Sequence, residues 1–185
     1  MPWPKAHKQE TRERIVAAAA AAFREGGISD VGVAQLMDRA GLTHGGFYAH
    51  FTSKDEIVAE AFAHAAAQTR EQMGGSHDAL AYANKYLSET HAAHPERGCP
   101  LAAMGSELVR GSARVRRALA ANLQKRLEQL YALVSASSAA QRRWRAAGAL
   151  ACMVGGLTIA RGLSDAQREE FLADCRAFLK DTLED

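Results

Sequence analysis

Residues 33–51, VAQLMDRAGLTHGGFYAHF, decide the fold. Val33, Leu36, Met37 and Ala40 recur at helical spacing and give a first helix one buried face. Gly41 follows at once, where a chain leaving a helix turns left-handed. Leu42 plugs the angle between two helices, and Thr43 stands where a side chain caps the second by accepting its free N–H groups. Phe47 and Phe51, four residues apart, pin the second short helix inward. His44, Gly45, Tyr48, Ala49 and His50 are left facing out. A helix-turn-helix offers its second helix to the DNA major groove in this way, N-terminal residues leading.

That outward set is odd for a solvated helix. Gly45 and Gly46 each cost roughly 1 kcal/mol of helix stability relative to alanine. Their value is that a backbone without side chains approaches phosphate or base edges closely. Tyr48 and His50 donate hydrogen bonds of the kind that position a protein on phosphates. A plain helical hairpin packed in a core is the alternative, and it gives no reason for two glycines there.

At these residues the sequence resembles the TetR family of bacterial transcriptional regulators. The segments TRERIVAAAAAAFREGG, LTHGGFYAHF and SKDEI carry the resemblance, which runs from about Thr11 to Ile57. The family's layout of an N-terminal helix-turn-helix and a helical body covers nearly the whole chain. The resemblance implies DNA contacts at Thr43, His44, Gly45, Gly46, Tyr48 and His50, and phosphate contacts at Arg12 and Lys54. Lys54 also sits against the charge preference of a helix first turn, which a nearby phosphate explains. Family members usually carry Ser or Thr where Gly32 stands here. Gly32 has no hydroxyl, so no phosphate contact is carried onto it.

The rest of the chain sets bounds. At 185 residues it holds one good core or two small domains, and 48% hydrophobic content with few aromatics and four prolines suits helices. The net charge of +2 does not announce a nucleic-acid binder, so the DNA reading rests on the motif. Residues 1–10, MPWPKAHKQE, have no apolar run of a cleavable signal; Trp3 and two prolines suggest a loose arm over residues 1–7, either plain disorder or a reach to the DNA backbone through Lys5 and Lys8. The longest apolar stretch, Ala146 to Ala160, is shorter than a membrane span of ~20 residues. Three cysteines without a secretion signal favour reduced thiols and a cytoplasmic location. No cofactor motif or enzyme signature is visible.

The pattern predicts an all-α protein of about nine helices: a three-helix helix-turn-helix domain over 1–52 and a regulatory and dimerisation domain over 53–185. A first helix spans about Lys8 to Glu25. Ser53-Lys54-Asp55-Glu56 is a capping box, with Glu56 reaching back to the cap N–H. Its helix continues to about Met73 and is the natural lever between domains. One helix is expected from about Asp78 to His94. Cys99-Pro100 reads as an N-cap followed by proline at the first helical position. A long helix from Arg114 to Val134 pairs an apolar stripe with a charged face of Arg114, Arg116, Arg117, Lys125 and Arg126, read as solvated. A helix over about Gln141 to Arg161 is apolar nearly all round, and Ser164 to Gln167 forms a second capping box.

The resemblance further implies a homodimer, a pseudo-palindromic double-stranded DNA operator, and a small-molecule inducer bound among the middle helices. Pocket candidates are Phe62, Tyr82, Tyr86, His91, Cys99, Leu101, Met104, Leu108, Tyr131 and Trp144. Dimer candidates are Met153, Val154, Leu157, Phe171, Cys175 and Phe178. Cys99 opens an alternative: a thiol at a helix N-terminus favours thiolate and suits an electrophile- or redox-sensing repressor. His91, His94 and Cys99 also make an HxxH with a nearby thiol, short of the four ligands of a structural zinc site.

Overall fold

The computed structural model describes residues 5–184, and residues 1–4 of the expected arm, with Trp3, lie outside them. Among the described residues there are nine α-helices and two short 3-10 helices. They are α1 (Lys5–Gly26), α2 (Val33–Arg39), a 3-10 helix (His44–Ala49), α3 (Lys54–Gln72), α4 (Ala79–Tyr86) and α5 (Glu89–Ala93). A second 3-10 helix (Pro95–Arg97), α6 (Pro100–Arg110), α7 (Ala113–Leu133), α8 (Ala139–Ala160) and α9 (Asp165–Glu184) follow. Helix α1 begins at Lys5, three residues before the sequence suggests.

The turn after α2 closes as a Schellman motif. Gly41 adopts φ +68°, its N–H donates to Asp38 O at 2.8 Å, and the Leu42 N–H donates to Met37 O at 2.9 Å. Two expected caps differ in detail. Thr43 makes no side-chain cap bond; its backbone carbonyl accepts from the Gly46 N–H at 3.0 Å. Ser53 Oγ accepts from the Glu56 N–H at 3.2 Å, but Glu56 reaches past Ser53 to the N–H and hydroxyl of Thr52, at 2.8 and 2.6 Å. The helix expected over Asp78 to His94 is two helices. Leu87 leaves helical geometry at ψ 44°, and Ser88 starts a new helix by accepting from the His91 N–H at 3.2 Å.

Two cores result. The first joins Ile15, Phe23, Leu36, Phe47, Phe51 and Phe62 and continues into Met104 and Leu108 of α6 and Val115 and Leu119 of α7. It therefore crosses residue 52 without a break. The second packs Tyr82, Tyr86, Leu87, Cys99, Leu130, Met153, Leu157 and Leu179 between α4 and α6–α9. Helix α6 stands between the cores and is kinked at Met104 (φ −140°, ψ 19°). Arg126, read from sequence as part of a solvated face, is instead only 3% exposed. No described helix is long and apolar enough to cross a membrane.

Candidate functional site

The outward surface of the first domain is the 3-10 helix His44–Ala49, shorter and tighter than the α-helix the spacing suggests. Phe47 and Phe51 are buried with ring centroids 5.4 Å apart, and Phe47 meets Tyr48 edge-on at 5.3 Å. That anchoring leaves Thr43, His44, Gly45 and Ala49 exposed and Tyr48 69% exposed. A Cβ on Gly45 would meet nothing within 4 Å, so its small size is not demanded by packing. Gly46 differs: a Cβ there would lie 3.4 Å from Met37 Cε, and the residue is half-buried against α2. Lys54 is half-buried at the start of α3. His50 is half-buried with its Nδ1 lacking a partner, and burial followed by the charges of Lys8 and Arg12 lowers its pKa.

Arg12 is placed otherwise than expected. Its guanidinium bonds the His50 carbonyl and the Glu56 and Glu60 carboxylates, and lies 4.1 Å from the Phe51 ring centroid. With its donors bound inside the chain, Arg12 fastens α1 to the junction before α3. Glu56 is held at a pKa of about 2 by the Thr52 hydroxyl and N–H, then by Arg12 and Arg114.

The pocket candidates do not form one cluster. Phe62, Met104 and Leu108 belong to the first core, Tyr82, Tyr86 and Cys99 to the second, with His91 beside Tyr86 and Leu101 touching both cores. Tyr131 is half-buried against the second core. Trp144 is 55% exposed, because it starts the outer face of α8 with Arg145 beside its ring. Two open clefts border these groups. One of about 410 Å³ is lined by Met73, Lys85, His91 and Gly98 among others. An apolar groove of about 420 Å³ runs along Leu101, Leu123, Leu127, Leu150 and Val154.

His91 is a hub of this region. The Cys99 N–H donates to its Nε2 at 2.9 Å, so that nitrogen carries a lone pair and Nδ1 carries the proton, donated to Tyr86 O at 2.6 Å. Burial, outweighing the Tyr86 carbonyl, pushes its pKa down to about 4. Both ring nitrogens are thus committed, which takes His91 out of the HxxH metal reading. Among the described residues no three metal-ligating side chains come together. Cys99 is fully buried at the α6 N-cap.

Two clamps tie this region to the first domain. Glu107 of α6 accepts from the N–H groups of Ile28 and Ser29 at 2.9 and 2.8 Å, holding the loop after α1. Arg24 of α1 donates to Gly98 O at 3.0 Å and to Gln68 Oε1 at 3.1 Å. Sequence reasoning missed both, since neither residue sits in a motif.

On α8 and α9, Met153 and Leu157 are committed to the inside of the protomer. Exposed instead are Trp144, Ile159 and Phe178, with Gly148 and Ala151 also outward and Val154, Phe171 and Cys175 half-exposed.

The family model described as bacterial regulatory proteins, tetR family, matches residues 15–61, from α1 to the first turns of α3. Over these residues the chain carries the DNA-binding domain of the TetR family, and as a whole it is similar to TetR-family transcriptional regulators. Over 54 residues, 29% of this chain, it is 41% identical to the HTH-type transcriptional regulator TtgR of Pseudomonas putida. Over 53 residues it is 42% identical to the HTH-type transcriptional regulator SrpR of the same species. These matches span about a quarter of the relatives' length, 26% and 25%. The TetR-like fold extends further. A TetR transcriptional regulator from Chloroflexus aurantiacus J-10-FL superposes with a TM-score of 0.77 at 25% identity, over 95% of this chain and 96% of that one. A TetR-family regulator from Cytophaga hutchinsonii gives 0.78 at 16% identity, over 97% and 98%.

Proposed function

We propose that the chain is a homodimeric, sequence-specific DNA-binding transcriptional regulator, a repressor that a small-molecule inducer releases from its operator. The observation that carries this is the 3-10 helix His44–Ala49. Phe47 and Phe51 hold it from behind, and its outer surface offers exposed Thr43, His44, Gly45 and Tyr48, with Gly45 free of any packing demand. Thr43 keeps its hydroxyl free for a phosphate or base, Gly45 allows close backbone approach, and Tyr48, His50 and Lys54 fix position on the backbone. Gly46 serves indirectly, by letting the helix sit against Met37.

Residues 1–52 act as the DNA-reading unit and 53–185 as the regulatory and dimerising unit. The dimer face runs along α8 and α9 through Trp144, Gly148, Ala151, Ile159, Phe171 and Phe178, with Val154 and Cys175 at its edge. Small residues on α8 allow close helix approach while Phe178 supplies exposed apolar area. Two such protomers present their 3-10 helices to successive major grooves of a pseudo-palindromic duplex.

The inducer enters the second core and acts through α6. Movement of α6 about the Met104 kink is passed to the first domain by Glu107 and by the Gly98–Arg24 contact, and α3 carries the rotation to the DNA surface. The coupling equals the difference in inducer affinity between the two states, typically about 1–3 kcal/mol.

Selection from a random duplex pool tests the reading. A palindromic consensus with half-sites about one helical turn apart, or a multiple, is expected; absence of any consensus overturns it. The thiol-sensing alternative through Cys99 requires a buried thiol to meet its oxidant. Loss of DNA binding on hydroperoxide treatment, abolished in Cys99→Ser, would favour it.

A further inference from the structure

Resting on the reading that the second core receives the inducer, we propose that this site takes the carboxylate of a small organic acid with an apolar body. Arg126 is its counter-ion, and the Tyr82 and Tyr86 hydroxyls are the accompanying donors.

Arg126 is a buried cation without an anion. It is 3% exposed on α7, and its Nη1 donates to Tyr82 Oη at 2.7 Å. Among the described residues no carboxylate lies within ion-pair distance of it, whereas Arg12, Arg39, Arg97, Arg114 and Arg168 each have one. Its guanidinium carbon stands 6.0 and 5.9 Å from the centroids of the Tyr82 and Tyr86 rings, which stack at 6.5 Å with planes 14° apart. Nearby Arg70 adds positive charge and is itself bonded to Asn122 rather than to an acid.

Counting donors against acceptors gives the ligand's chemistry. Tyr82 Oη accepts from Arg126, so its own proton needs an acceptor elsewhere. Tyr86 Oη is fully buried, with the Cys99 thiol beside it and no nitrogen or oxygen partner. Burial keeps both phenols protonated and therefore donors. The guanidinium, the Tyr82 hydroxyl bonded to it and the neighbouring Tyr86 phenol thus gather donors with no carboxylate in ion-pair reach. A carboxylate is acceptor-only, carries the missing charge and matches the planar guanidinium fork. The surrounding Leu87, Leu130, Met153 and Leu157 suit an acid whose remainder is apolar. His91, whose ring meets Tyr86 edge-on at 4.6 Å, also lines the cleft shared with Lys85.

The test is calorimetry on the DNA-free full chain with benzoate, phenylacetate and isovalerate, each beside its primary amide. At least one acid should bind about tenfold or more tighter than its amide, the factor a charge-assisted hydrogen bond supplies. Arg126→Met should abolish that preference while leaving the free protein's Tm unchanged or raised, since it removes an unpaired buried charge. Tyr86→Phe, which keeps the volume, should lessen the preference and serves if the Arg126 variant fails to fold. Amides binding as well as acids, no binding by any of the three acids, or a preference that survives Arg126→Met would overturn the proposal. Duplex selection done separately distinguishes the failures: a consensus without acid preference sinks this inference alone, and acid preference without a consensus sinks the DNA reading alone.

Discussion

The two cores of this chain are built on different principles. The first is built on Ile15, Phe23, Leu36, Phe47, Phe51 and Phe62, closed to solvent, with Thr11 and Arg24 buried at its margin and a surface of small and hydrogen-bonding residues outside it. The second buries Tyr82, Tyr86, His91 and Arg126 among its leucines and methionines. Buried polar atoms without a partner occur in both regions, His50 Nδ1 and His64 Nε2 beside the first core and Tyr86 Oη in the second. What sets the second apart is that its unpartnered hydroxyl stands with a buried guanidinium and a second phenol, the basis for proposing ligand recognition there.

The largest expected effect breaks the first core. Phe47→Ala should cost about 3–5 kcal/mol in urea unfolding and abolish selective duplex binding, because the 3-10 helix loses its anchor. An equal loss of duplex binding with stability unchanged would mean that Phe47 does not act through packing.

The second effect belongs to the other core. His91 is neutral when folded, with its pKa lowered to about 4 from an ordinary 6.5. The unfolded chain binds its proton first as pH falls, so stability is complete above about pH 6.5 and is lost progressively toward pH 4, by on the order of 3 kcal/mol at most. His50 and His64 are shifted in the same direction, both chiefly by burial. His91→Gln should therefore flatten, without abolishing, the fall in urea midpoint between about pH 7.5 and pH 5. An unaltered slope would contradict the neutral hub.

Smaller again is the turn. Gly41 sits at φ +68°, and Gly41→Ala should cost about 1–2 kcal/mol while leaving the second core's ligand binding unchanged. The smallest effect is at the surface. Tyr48→Phe should weaken binding to all duplexes by roughly 1 kcal/mol without altering the preferred sequence. A changed base preference would give Tyr48 a reading role instead.

The same contrast explains what the sequence discloses. In the first domain each signal is local: the spacing of Leu36 and Met37, the glycine after Ala40, and the four-residue step from Phe47 to Phe51 each fix one turn of chain. The expected helix-turn-helix follows from them, down to the left-handed Gly41. Two details differ: the second helix is a 3-10 helix, and Thr43 caps it through its backbone carbonyl instead of its side chain. In the second domain the informative contacts are long-range. Arg126 looks like its exposed neighbours Lys125 and Arg117 until Tyr82 of α4 is brought to its guanidinium. Arg24 with Gly98, and Glu107 with Ile28, are 74 and 79 residues apart. Met153 and Leu157 are apolar in a helix apolar all round, so periodicity assigns them to either the protomer or its partner. Residue type places Trp144 inward, and the register of α8 turns it out.

The outer surface of His44–Ala49 is proposed to read DNA. Selection of tight binders from a random duplex pool by the purified chain tests it directly. A palindromic consensus, shared by Tyr48→Phe at lower affinity and lost in Phe47→Ala, is the expected result. Failure of the wild-type chain to select any consensus would contradict it.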